Sequence, residues 1–168
     1  MKQVNLNRLY DLAGNKALEL EEGFYTLRKL LEKNFNLMVF LENSLIPKEQ
    51  KKKLLKDLLK SPPKFLIELI NLLIDEELEK EIIKLSHEFS ELVSKKQKIK
   101  LVEVTTAFPL EDSEKKGIES LLKEKSLLRL QLDPSLLGGF KLKVAGGLSL
   151  DASLKGKLNK LREDLINA

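Results

Sequence analysis

Residues 132–153 read LDPSLLGGFKLKVAGGLSLDAS. The two glycine pairs in this stretch could belong to a nucleotide-binding loop or could only turn the chain, and the residues around them decide between the two. A phosphate-binding loop closes on a lysine followed by serine or threonine, whereas Gly146 and Gly147 are followed by leucine and serine. A dinucleotide-binding loop opens directly into a helix, whereas Gly138 and Gly139 lead into FKLKV, which alternates like a half-buried strand. We therefore predict that DPSLLGG links two antiparallel strands and that the second glycine pair bends the chain.

The sequence around this stretch predicts a small β-α-β-β-α domain over residues 98–168. Alternation and a high content of valine and threonine predict a strand from Ile99 to Thr106, which Pro109 ends. The segment EDSEKKGIESLLKEK predicts a helix, and LLRLQLD and GGFKLKVAG predict the second and third strands. GLSLD is interpreted as a short extension or a bend. A closing helix with regularly spaced leucines follows, with Asp151 or Ser153 as its cap.

Residues 1–97 show helical spacing instead. Six predicted helices cover 4–18, 21–33, the segment FNLMVFLENSL, the segment from Pro47 to Lys60, 64–75 and 77–97. Pro47 is predicted at a first helical position and Ser61 as the N-cap of the fifth helix. Short connections favour an antiparallel bundle. The predicted fold class is therefore α+β with two domains, a six-helix bundle over 1–97 and the β-α-β-β-α domain.

The composition argues against an enzyme. There is no cysteine and one histidine, His87, so thiol catalysis is excluded and a zinc site is disfavoured. No nucleophile lies in a recognisable pattern with a base, and the acidic runs give no carboxylate a reason for a raised pKa. His87 is assigned no special role, and the run Lys51 to Lys53 is interpreted as a solvated face. We predict no catalytic residue, no metal and no cofactor.

The charge pattern bears on nucleic-acid binding. The formal net charge is +4 and the isoelectric point about 9.1, but basic residues are mixed with glutamates rather than gathered in one stripe. A basic RNA-binding module is the alternative function that a β-α-β-β-α domain permits. Aromatic side chains that would stack on bases are nearly absent, since only Phe140 lies in a predicted strand. The favoured prediction is therefore no nucleic-acid partner.

The longest apolar run is FLIELINLLI, residues 65–74, in which eight of ten positions are apolar. It is too short to span a bilayer, and no signal peptide opens the chain, so we expect a soluble cytoplasmic protein. One helical face would hold Phe65, Leu69, Leu72 and Leu73, with more apolar residues spread over the remainder. Such a helix is either central in the bundle or lines a groove that accepts a partner's amphipathic helix.

Three stretches together resemble the ATP synthase delta subunit family, whose mitochondrial counterpart is the oligomycin-sensitivity-conferring protein. They are FLENSLIPKEQKKKLLKDLL, LVEVTTAFPLEDSEKKGIESLL and LDPSLLGGFKLKVAGGLSLDASLKGKLNKLREDL. The positions that match the family's C-terminal motif are Asp133, Gly138, Gly139, Gly146, Asp151, Ser153 and Leu158. Tyr10 and Ala13 fit the opening helix, whereas Asp11 stands where the family has a small residue. DEEL lacks the glycine and arginine that the family carries after its fifth helix.

The resemblance implies a non-catalytic stator subunit. In the family, the helical domain accepts N-terminal helices of the alpha subunits in a groove of the first and fifth helices. The C-terminal domain holds the C-termini of the b subunits. The complex would keep the protein peripheral to the cytoplasmic face of a bacterial inner membrane. The groove residues that this implies are Leu6, Leu9, Tyr10, Ala13, Leu66, Leu69, Ile70 and Leu73.

Overall fold

A computed structural model describes residues 4–59, 62–122 and 125–158. The chain separates into two compact units, Met1–Val93 and Ser94–Ala168, and the last turn of the sixth helix belongs to the second unit. The boundary at 97/98 remains a prediction from sequence. Overall the protein is α+β, with a helical part followed by a four-stranded mixed sheet.

Within its described residues the first unit is built from helices. They are α1 Leu6–Ala13, α2 Ala17–Lys33, α3 Phe35–Glu42, α4 Lys48–Leu58, α5 Lys64–Asp75 and α6 Ile82–Gln97, with 3₁₀ turns at Gly14–Lys16 and Glu79–Glu81. Leucines and two phenylalanines fill the core, and the rings of Phe24 and Phe89 lie 5.7 Å apart. The antiparallel bundle arrangement of these helices stays a prediction. No helix in the described part of the chain is long and apolar enough to cross a membrane.

The first predicted helix, 4–18, is wrong at its C-terminal end. Asn5 caps α1 by accepting a hydrogen bond from the Arg8 amide at 3.1 Å. The helix stops at Ala13, because Gly14 adopts a φ of 50° and donates its amide to the Tyr10 carbonyl. Apolar spacing continues across this glycine into α2, which is why periodicity alone joined the two segments.

Other helix ends also differ from expectation. Pro47 precedes α4 as its N-cap, and its carbonyl accepts the Gln50 amide at 3.0 Å. Pro63 is the N-cap of α5, and Ser61 lies outside the described residues. The sixth α-helix begins at Ile82 rather than at residue 77, because Glu77 takes a positive φ of 59° and the chain turns there.

The buried face of α5 agrees with the predicted one at Leu69 and Leu73 but not at Leu72. Leu66, Leu69, Ile70, Leu73 and Ile74 are buried, whereas Leu72 is exposed. The helix packs against α2 and α4, and Lys64, Glu68, Leu72 and Asp75 form its exposed stripe. The bundle therefore covers most of its apolar side chains, and Leu72 is the exposed one.

The second unit contains a mixed sheet. Its strands are β1 Lys100–Thr106, β2 Ser126–Leu132, β3 Phe140–Val144 and β4 Ser149–Asp151, and helix α7 covers Asp112–Leu122. The strand order is β2-β1-β3-β4; β1 pairs parallel with β2 and antiparallel with β3. Val102 and Val104 of β1 are fully buried in a core that includes Ile118 of α7.

This topology refines the sequence interpretation. The three predicted strands are present within about two residues of their expected bounds, and β4 occupies the segment that was interpreted as an extension or a bend. β2 and β3 run in opposite directions, as predicted, but β1 lies between them. DPSLLGG is therefore not a hairpin loop. β1 has a strand neighbour on both sides and is the most buried strand of the sheet, whereas β2 lies at an edge and is half-buried or exposed along its length.

The glycine pairs have different roles. A Cβ on Gly139 would lie 2.3 Å from the Ala152 carbonyl oxygen, so this position needs glycine for close backbone approach. Gly146 and Gly147 have φ of 101° and 103° and form the turn between β3 and β4, which confirms the predicted bend. The closing helix starts after Ser153, whose hydroxyl accepts the Gly156 amide at 3.0 Å. Of its regularly spaced leucines, Leu154 and Leu158 are exposed, and Leu161 and Leu165 lie outside the described residues.

Candidate functional site

A groove of about 360 Å³ opens between α1, α5 and the connector that follows α5. Its lining residues are Val4, Asn5, Arg8, Leu9 and Leu12 on one side and Leu69, Leu72, Leu73, Glu76 and Leu78 on the other. Apolar side chains are the majority on both sides, so the groove can bury apolar side chains of another molecule.

The groove has a buried floor and an exposed apolar rim. Leu9, Leu69 and Leu73 are buried and belong to the core. Leu12 and Leu72 are 67% and 52% exposed, one on each bounding helix. Arg8 and Glu76 add a positive and a negative side chain to the lining. This combination suits an amphipathic helix with a mixed polar border.

The predicted groove residues divide into two groups. Leu9, Leu69 and Leu73 line the groove. The others pack with the bundle core: Leu6 and Tyr10 are half-buried, and Ala13, Leu66 and Ile70 are buried.

Sequence reasoning missed the two exposed leucines of the groove as partner-facing residues. Leu12 and Leu72 each stand three positions after a floor leucine, Leu9 or Leu69. That spacing places each of them about 60° round the helix axis from its floor leucine, on the same apolar side but at its margin. A leucine at the margin of the apolar stripe in both bounding helices is the signal that identifies them.

Lysines of α4 hold the connector that supplies one wall of the groove; we call Lys48, Lys51 and Lys52 the lysine clamp. The Lys51 ammonium lies 2.7 Å from Glu79 Oε1, and both side chains are buried. Lys48 donates to the Asp75 carbonyl at 2.7 Å. The interpretation of Lys51 to Lys53 as a solvated face is therefore wrong at Lys51, because Glu79 pairs with it inside the protein.

Lys52 completes the clamp at the surface. Its ammonium lies 2.7 Å from Asp75 Oδ1 and 3.0 Å from Glu49 Oε1. Hydrogen bonds to Asp75 and then Glu49 raise the pKa of Lys52 above its ordinary value. The clamp thus ties α4 to the end of α5 and to the 3₁₀ turn Glu79–Glu81, on either side of the wall residues Glu76 and Leu78.

The end of α5 departs from the family pattern at a strained position. Glu77 has a φ of 59°, and the Leu78 amide donates to the Leu73 carbonyl at 2.8 Å. This is the C-terminal turn in which glycine is favoured. Glu77 instead pairs with Lys48 at 3.1 Å, a contact at the protein surface.

The motif residues of the second unit shape the backbone. Asp133 accepts the Ser135 amide at 3.0 Å, and hydrogen bonds to Ser135 lower its pKa. Asp151 accepts the amide and hydroxyl of Ser153 at 3.0 and 2.6 Å, which lowers the pKa of Asp151 to about 2. Gly138 and Gly139 lie against the start of the closing helix, since the Leu154 amide donates to the Gly138 carbonyl at 3.0 Å. These residues fix the turn and the helix start.

Comparison with known proteins decides the family. A model of the ATP synthase delta (OSCP) subunit family matches residues 8–165. The chain belongs to this family. As a delta/OSCP subunit it is a structural component of the stator, in the peripheral stalk of the ATP synthase, and not a catalyst.

Individual relatives agree with the family assignment. ATP synthase subunit delta of Syntrophomonas wolfei is 30% identical over 158 residues, covering 91% of this chain and 86% of that protein. The chloroplastic ATP synthase subunit delta of Ochrosphaera neapolitana is 30% identical over 161 residues, covering 91% and 89%. A chain in the cryo-EM structure of the Toxoplasma gondii mitochondrial ATP synthase hexamer shares the delta/OSCP fold, with a TM-score of 0.58 at 19% identity over 96% of this chain and 93% of that one.

Proposed function

We propose that this delta-family protein joins the alpha subunits of the catalytic head to the b subunits of the peripheral stalk. Its first unit accepts N-terminal helices of the alpha subunits in the groove between α1 and α5, and its second unit holds the C-termini of the b subunits. Held in this way, the head stays still while the rotor turns, and rotation is coupled to ATP synthesis. The protein would act at the cytoplasmic face of a bacterial inner membrane, bound only through the complex.

The observation that carries the proposal is the groove with an exposed leucine on each side, Leu12 and Leu72. Burying one leucine contributes about 1.5–3 kcal/mol, and nanomolar affinity corresponds to about 12 kcal/mol. With an association cost of at least about 4 kcal/mol, nanomolar binding needs a gross gain of about 16 kcal/mol, or about five to eleven leucine-class side chains. The exposed leucines of the groove would supply part of this gain, and the rest would have to come from further contacts along the docked helix.

The RNA-binding alternative finds no exposed aromatic side chain on the described strands. Phe140, the aromatic residue of the predicted strands, is half-buried and packs against the sheet core with Val102 and Leu142. A base could not stack on a ring that the core already covers. Family membership and this packing both favour the stator function.

Titration calorimetry with a synthetic peptide that carries the N-terminal sequence of an alpha subunit tests the groove. We expect Leu12→Asp and Leu72→Asp each to weaken binding about 10- to 100-fold, because each removes one leucine contact. Both side chains are exposed, so the fold should persist, which circular dichroism would verify. Leu45→Asp is the matched control, since Leu45 is 88% exposed and does not line the groove. Undiminished binding by both groove variants would refute the assignment of the groove.

A further inference from the structure

A second pocket, of about 540 Å³, lies within the second unit. Its lining residues are Ser94, Lys95, Lys98, Ile99, Lys100, Lys125, Val144 and Ala145. They come from the end of α6, the start of β1, the residue before β2 and the end of β3. We call this the lysine pocket.

The lining is strongly basic. Four lysines surround the pocket, and no acidic side chain is among its described lining residues. Lys95 lies in the last turn of α6, where a cation complements the helix dipole. That reason does not extend to Lys98 and Lys125, which lie beyond the helix. Gathering like charges costs free energy, which an anionic ligand would offset.

Apart from Ser94 the remaining lining is apolar, and the amides of these apolar residues already donate within the chain. Val144 is buried, and Ile99 and Ala145 are half-buried. The Ile99 amide donates to Ser94 at 3.2 Å, the Lys100 amide to the Lys125 carbonyl at 2.8 Å, and the Ala145 amide to Leu101 at 2.9 Å. The Ser94 hydroxyl donates to the Ile99 carbonyl at 2.8 Å. A ligand would therefore meet flexible ammonium groups around an apolar floor, not a cradle of backbone amides.

From this geometry we infer that the lysine pocket is a docking site for an acidic segment of a protein partner. Carboxylates would contact the ammonium groups while an apolar side chain of the same segment covers Val144 and Ile99. No aromatic side chain is among the described lining residues, so the pocket offers no surface for stacking nucleic-acid bases. Resting on the proposed function, we assign the segment to the C-terminal region of a b subunit.

Charge reversal in the full-length chain tests the site. Lys98→Glu combined with Lys125→Glu should weaken binding of the soluble b domain about tenfold at low salt, with less difference at high salt. Lys116→Glu combined with Lys157→Glu is the matched control, because it changes the net charge equally at exposed positions outside the pocket. Equal affinity of the pocket variant and the control variant would overturn the inference.

A probe without the b subunit separates the pocket from the proposed function. Titrating the wild-type chain with octaglutamate should shift the NMR amide signals of Ile99 and Ala145, and the pocket variant should lose these shifts. If those signals do not move, the pocket inference fails, whatever the b domain does. If they move while the wild-type chain does not bind b, the acidic-ligand site stands and the b-linking function fails. Stronger displacement of octaglutamate by an RNA oligonucleotide than by an acidic peptide would overturn the assignment to a protein partner.

Discussion

Replacing Lys51 by methionine should strongly destabilise the first unit. The Lys51 ammonium and the Glu79 carboxylate lie 2.7 Å apart, and their side chains are only 5% and 7% exposed. Removing one member of a buried pair leaves the other charge desolvated and costs about 3–5 kcal/mol. With a urea dependence of about 2 kcal/mol per molar, the unfolding midpoint should fall by about 2 M. Such a loss is a large fraction of the typical stability of a domain.

Tyrosine fluorescence can follow this unit selectively. The chain has no tryptophan, and both its tyrosines, Tyr10 and Tyr25, lie in the first unit. Urea unfolding of the full chain, followed by this signal, therefore reports the stability of the unit that holds the pair.

A double variant separates charge desolvation from loss of packing. Lys51→Met with Glu79→Leu removes both charges and should recover most of the lost stability. Lys52→Met serves as the control and should cost much less, because Lys52 pairs with solvent-exposed carboxylates. A midpoint that Lys51→Met leaves unchanged, or a double variant no better than the single one, would refute the reasoning.

Three further predictions concern the backbone and pH. Glu77→Gly should stabilise the first unit by about 1 kcal/mol in the same urea assay, because glycine adopts the positive φ of 59° without strain; a loss of stability would contradict this. Gly139→Ala should destabilise the second unit more than Gly147→Ala, since only the former meets a backbone oxygen, at 2.3 Å; thermal unfolding by circular dichroism compares them, and equal losses would count against the close-approach argument. The pKa of Asp151 falls from 3.8 to about 2 in the folded chain, so its stabilisation is present above pH about 4 and lost as the pH falls towards 2. Asp151→Asn should flatten the acid dependence of unfolding in that window, and an unchanged profile would argue against the assigned cause.

Strand positions were predictable because they depend on local patterns. FKLKV alternates, and the observed strand Phe140–Val144 coincides with it. The strand order was not predictable in the same way, because it depends on pairing between distant segments. Val102 faces Val144 across one ladder and Leu128 across the other, and neither register can be read from β1 alone.

The orientation of α5 shows the limit of periodicity. Eight of the ten residues 65–74 are apolar and do not form a single stripe, so their spacing does not predict which face of the helix is buried. Packing against the neighbouring helices determines that face. Leu66 fits because α2 carries Gly23, where an added Cβ would lie 2.6 Å from the Leu66 side chain. Lys51 is a similar case, since its burial depends on Glu79, which is distant in sequence.

The groove argument changes because the bundle buries most of the apolar side chains of α5. An apolar surplus on one helix therefore does not by itself identify a docking site. What remains is a juxtaposition: Leu12 and Leu72 are exposed on the two helices that bound one groove. Leu45 is more exposed than either, yet it lies in a turn and not in that groove. The proposed recognition of a helix therefore depends on how α1 and α5 are placed side by side, and the lysine clamp holds the connector that closes the groove at the C-terminal end of α5.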